Sequence, residues 1–141
     1  MEVRKTTDSE NPVKSLLIDR KEMMMGIAEE FQGFLRIDST DYTPILPTRL
    51  SDLSTRNRIL LELGVAYMCF VGNLAEKPSL ARDQLLDRCS VADSTLRGRL
   101  SELRKEGFIV THDEGDELTA EGMMEFKKLL AGFKEESEDR K

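Results

Sequence analysis

The stretch Ser79–Gly122 constrains the fold more tightly than any other part of the chain. Within Ala81–Arg88, Leu85 and Leu86 give a short helix one apolar side. Cys89-Ser90-Val91-Ala92 then reads as a turn. Leu96, Leu100 and Leu103 then recur at intervals of four and three, which puts all three on one face of a helix over Ser94–Glu106. Asp93 is the expected N-cap and Gly107 the expected stop. Phe108–His112 alternates in the manner of a strand, and Glu117–Thr119 reads as its return partner. Between them lies the acidic turn Asp113-Glu114-Gly115-Asp116-Glu117.

Helix, turn, helix and hairpin in that order define a winged helix-turn-helix. In that layout the inward leucines hold the second helix while its outer face stays free for a partner. In duplex DNA the major groove, about 12 Å wide, admits one such helix. The outer face here carries Ser94, Thr95, Arg97, Gly98, Ser101 and Arg104, with Lys105 near the end. Arginine donates two hydrogen bonds to guanine O6 and N7, and serine and threonine serve bases or phosphates. Gly98 costs a helix interior about 1 kcal/mol relative to alanine. It either permits close approach of a backbone or partner or is simply tolerated.

The run Ser94-Thr95-Leu96-Arg97-Gly98-Arg99-Leu100, followed by Leu103-Arg104-Lys105-Glu106-Gly107-Phe108-Ile109, resembles the recognition helix and first wing strand of MarR- and PadR-type regulators. Glu117-Leu118-Thr119-Ala120-Glu121-Gly122 is similar to their return strand and the helix after it. The resemblance covers about Thr55–Phe133, and the helix order is similar to that of small archaeal regulators. It implies a homodimer that contacts double-stranded DNA through Ser94, Thr95, Arg97 and Ser101. Asp113, Glu114, Asp116 and Glu117 depart from the pattern, because wings of that group often touch phosphate.

Upstream, Met1–Ile18 reads as a mobile lead. Asp19 caps an expected helix over Arg20–Arg36, with Met23, Met24, Ile27, Phe31, Phe34 and Leu35 on its apolar side. Met23-Met24-Met25 is expected in core or dimer packing. Pro44 and Pro47 keep Ser39–Pro47 out of a helix. Together these make an N-terminal unit over residues 19–53. A domain over residues 54–134 follows. Ser54 caps a long helix over Thr55–Gly72 whose apolar residues occupy most of its circumference, so it is expected at the centre. Thr119 caps a last helix to Phe133, and Glu135–Lys141 reads as a charged tail. The whole is a mainly α, α+β chain with extra helices on either side of the motif.

Charge divides the motif against itself. Ser79–Gly107 holds six bases against five acids, whereas Phe108–Gly122 holds five acids and neither lysine nor arginine. The full chain is at −6, which opposes strong nonspecific affinity for DNA. Arg99, Arg104 and Lys105 are therefore expected to help position the helix, and the acidic turn to repel phosphate. The same turn, Asp113–Glu117, suits a basic protein partner instead. The competing expectation is a protein-interaction module on this fold, since fold does not fix function.

No catalytic site, cofactor or metal site is expected. Phosphate-binding glycine loops and a nucleophile elbow are missing, and His112 stands alone. Cys69 and Cys89 lack paired spacing and read as small buried residues in a reducing cytoplasm. No apolar signal core precedes Leu16, and no run approaches the roughly 18 apolar residues of a membrane span.

Overall fold

The computed structural model describes residues 12–139. It is mainly helical, with two small antiparallel two-stranded sheets. The described residues form five α-helices: α1 Arg20–Glu30, α2 Thr55–Val71, α3 Arg82–Cys89, α4 Asp93–Lys105 and α5 Ala120–Asp139. The strands are β1 Arg36–Ile37, β2 Pro44–Ile45, β3 Ile109–His112 and β4 Gly115–Leu118. Single 3-10 turns occupy Pro12–Leu16 and Leu50–Asp52. Of the lead expected to be mobile, the part before Pro12 lies outside the described residues.

The expected central helix is the centre. Ile59, Leu60, Leu61 and Leu63 of α2 are fully buried, and Val65, Tyr67 and Cys69 nearly so. Every other α-helix packs against it. Ser54 caps it by accepting from the Asn57 amide at 3.1 Å. At its far end the left-handed residue is Asn73, φ 62, rather than Gly72. At Gly64 the helix meets α5 so closely that a Cβ would collide with the Phe126 ring.

Inside this apolar helix sits one carboxylate, Glu62, 1% exposed. Arg58 of the same helix donates to it through Nε at 2.8 Å, and Arg88 of α3 through a terminal nitrogen at 3.2 Å. Arg88 also donates to the Asp41 carbonyl at 2.7 Å. A charge this deep is tolerated only when paired, because desolvation costs several kcal/mol per ion.

Three helix ends differ from expectation. The first helix stops at Glu30 instead of Arg36. Gly33, at φ 82, takes the left-handed conformation and turns the chain into β1, which pairs with β2 through Arg36↔Ile45 and Ile37↔Pro44. Asp38 and Asp41 shape the intervening turn, accepting from the amides of Thr40 and Thr43 at 2.8 and 3.0 Å. Asp93 is not a cap: it is the first residue of α4, after Ala92, and its carboxylate pairs with Arg97. The last helix continues through the expected charged tail to Asp139, as its glutamates are good helix formers. Asp19 and Thr119 do cap α1 and α5, accepting from the amides of Lys21 and Gly122 at 2.9 and 3.0 Å.

Replacing Glu62 with alanine is expected to cost about 3–5 kcal/mol, because it strands two partly buried guanidinium groups. Urea denaturation monitored by circular dichroism measures the loss. Glu62→Gln, which keeps an acceptor, should retain part of it.

Candidate nucleic-acid interface

Helix α4 stands on three fully buried leucines, Leu96, Leu100 and Leu103, which match the expected inward stripe. Its opposite side faces solvent. Ser94, Thr95, Arg97, Gly98, Arg99, Arg104 and Lys105 are exposed and Ser101 is half-buried. The chain enters from α3 through Ser90, left-handed at φ 53, and leaves through Gly107, φ 84. Nothing lies within 4 Å of the position a Gly98 Cβ would take, so no contact within the chain requires a glycine there.

The seven predicted site residues thus share one helix and lie off its leucine stripe, with Arg97 and Arg99 on opposite flanks, and their charges are not equally free. Arg97 Nε pairs with Asp93 Oδ2 at 3.0 Å, and a terminal nitrogen of Arg99 with Glu102 Oε2 at 3.1 Å. Both pairs are well exposed, a class worth about 0–1 kcal/mol. Arg104 turns toward the hairpin, donating to Thr111 Oγ1 at 3.0 Å and lying 3.8 Å from Asp116 Oδ1. Lys105 makes no ion pair among the described residues.

The hairpin pairs Ile109↔Leu118, Val110↔Glu117, Thr111↔Asp116 and His112↔Gly115. Its turn is therefore Asp113–Glu114, shorter than the expected five-residue acidic tip. Asp116 is 2% exposed, and its carboxylate accepts from the Thr111 hydroxyl. Its backbone exchanges hydrogen bonds with Leu80, N to O at 3.0 and 2.9 Å, so Leu80 adds a one-residue third strand. Gly115 permits this contact, for a Cβ there would strike the Leu80 carbonyl. Glu117 faces His112 Nε2 at 2.5 Å and Arg20 at 3.7 Å. The Glu114 amide donates to His112 Nδ1 at 3.2 Å, which leaves Nε2 to carry the proton toward Glu117. Of the four expected carboxylates, Asp113 and Glu114 stand at the tip, and neither has a tight partner among the described residues. Lys77 approaches Glu114 at 3.9 Å.

Sequence reasoning missed Thr111 and Asp116 as the anchors of Arg104. The signal was there: they become cross-strand partners once the turn is placed at two residues. It also missed Arg56, which binds Glu106 at 3.0 Å, lies 3.7 Å from Glu125 and covers the Phe108 ring at 5.7 Å. Arg56 fastens the end of α4 to α2 and α5.

Among the described residues no group of three or more histidine, cysteine or acidic side chains is placed to hold a metal, and no helix is long and apolar enough to cross a membrane. Burial raises both thiols, that of Cys89 to about 11, with the nearby Glu62 carboxylate adding to the effect. No family model, no curated protein and no solved structure matches this chain.

The cysteine shift sets a pH dependence. An unfolded thiol ionises near 9.0 and the folded Cys89 near 11. The fold thus favours the protonated thiol. That contribution is complete below pH 9.0 and is lost as pH rises through about 11. Stability measured by denaturant is expected to decline over this interval, and Cys89→Ala to flatten the decline.

Proposed function

We propose that the chain is a winged helix-turn-helix protein that binds double-stranded DNA as a homodimer and regulates transcription in the cytoplasm. In this reading α4 enters the major groove, and β3–β4 with Leu80 is the wing. The observation that carries it is the contrast across α4, three fully buried leucines on one side and exposed Ser94, Thr95 and Arg97 away from them. Ser94, Thr95, Arg97 and Ser101 read bases, while Arg99 and Lys105 reach phosphate. Arg104 positions the helix against the wing instead of contacting DNA. The ion pairs of Arg97 and Arg99 are weak enough to exchange for guanine or phosphate. Two copies would present two such helices to half-sites about 34 Å apart. The reading includes no enzymatic activity.

A second reading has its own support. Arg97 and Arg99 are each matched by an acid one turn away, so the face is less positive than its arginines suggest. With Asp113 and Glu114 at the tip, this suits a protein-interaction module whose acidic turn docks a basic partner.

Selection from random oligonucleotides at low salt, repeated at higher salt, separates the two. Enrichment supports DNA binding, and its absence in both leaves the interaction module. On an enriched duplex Arg97→Ala should weaken binding by about 1–3 kcal/mol. A titration in which it equals the parent would remove Arg97 from the interface. Replacing Asp113 and Glu114 together with Asn and Gln should strengthen binding to unrelated duplexes at low salt and lose that gain at high salt. An unchanged affinity would mean that the wing stands away from the phosphates.

A further inference from the structure

Two apolar features of the chain lie uncovered. The first is the segment leading into α1, where Val13, Leu16, Leu17 and Ile18 are 63, 76, 73 and 57% exposed. Its 3-10 turn, Pro12–Leu16, buries nothing. The second is a groove of about 580 Å³ between α1 and α5, walled by Met23, Ile27, Met124 and Ala131. Gly26 also lines it, with nothing within 4 Å of where its Cβ would be, so another backbone can come close. Single exposed apolar side chains are ordinary on a surface, whereas a contiguous run marks an interaction.

We infer that the groove receives the Val13–Ile18 segment of a second copy of this chain, exchanged reciprocally about a two-fold axis. The inference deepens the homodimer in the reading above and is independent of whether DNA is bound. One exchange covers both features on both copies, as a two-fold contact is made twice. The segment is poorly placed for its own groove. Asp19 holds an extended backbone, φ −92 and ψ 108, with its side chain tied to the amides of Lys21 and Glu22. The groove is lined by the helix that follows, and the chain's own segment leaves it uncovered. Charge agrees with the exchange. Lys14 is the segment's one charged residue. On the groove rim Lys127 takes Glu30 at 3.4 Å and Lys128 lies 4.0 Å from Glu125, whereas Glu22 has no ion pair among the described residues and is open to Lys14.

Sedimentation velocity of the full chain over a range of concentrations, without DNA, tests this. The parent is expected to associate to a dimer. Leu16→Asp with Leu17→Asp should raise the dissociation constant at least about tenfold. Met124→Glu, in the groove wall, should do the same. All three side chains are more than half exposed. Unchanged circular dichroism and thermal melting of the monomer are therefore expected, and the milder Leu17→Ser stands in if a charged variant melts early. An equimolar mixture of the segment variant and the groove variant should associate more tightly than either alone, because one intact segment meets one intact groove. A parent that stays monomeric, variants that dimerise like the parent, or a mixture no tighter than its components would overturn the proposal. None of these outcomes depends on the DNA titrations.

Discussion

The buried carboxylate of Glu62 is the constraint on which the arrangement turns. A helix as apolar as α2 gains by burial on nearly every side, yet it carries a charge at its middle. That charge has to be met where it lies, and the groups that meet it come from two helices. Arg58 answers it from the next turn of α2. Arg88 answers it from α3 and at the same time holds the Asp41 carbonyl in the turn between β1 and β2. The N-terminal hairpin, the central helix and α3 are thereby registered on one another through a single ion. An apolar residue at this position would fill the space, but it would leave Arg88 no reason to face inward and the turn no donor.

A second set of links fixes α4. Its leucines set its depth in the core, but three leucines on one stripe do not fix rotation or tilt alone. Arg104, Thr111 and Asp116 join its last turn to the hairpin, and Arg56 joins its end to α2 and α5. The hairpin is held in turn by Leu80, just before α3. These contacts require small residues at close approaches. A Cβ on Gly115 would strike the Leu80 carbonyl, and one on Gly122 the Phe108 carbonyl. The outer face of α4 is accordingly carried by a braced unit, and one of its four bases is consumed in the bracing.

Much of this order is legible in the sequence because it rests on periodicity and caps. The spacing of Leu96, Leu100 and Leu103, the cap at Thr119 and the stop at Gly107 each follow from local chemistry, and each element is where they place it. The departures are tertiary. Gly33 ends α1 early because a left-handed glycine allows β1 to turn toward β2, and a two-residue strand leaves almost no pattern to read. Asp93 looks like a cap by type, but Ala92 supplies the extended residue and Asp93 is spent on Arg97. The acidic tip looked like five residues because composition does not say which carboxylates turn inward. Asp116 is buried against Thr111, while Glu117 faces His112 and Arg20. The predicted site residues avoid the leucine stripe, as helical spacing dictates, but which of their charges are free depends on partners three to twelve residues away.

That distribution of charge bears on how the proposed DNA contact would work. Helix α4 holds four bases, Arg97, Arg99, Arg104 and Lys105, against two acids, Asp93 and Glu102. Two arginines are paired within the helix and a third faces the buried Asp116, so the resting face has little field to gather phosphate at a distance. A surface of this kind gives up nonspecific affinity, which is electrostatic and falls with salt. It keeps directional contact, because an exposed pair worth about 0–1 kcal/mol yields readily to a guanine edge in correct register. Under that proposal Asp113 and Glu114 would act in the same sense, since repulsion at the tip would weaken binding to every duplex alike while base contacts reward only one. On the proposed reading, the acidity that argues against a phosphate-gripping wing becomes a means of discrimination, with the helix supplying the choice and the wing opposing the rest.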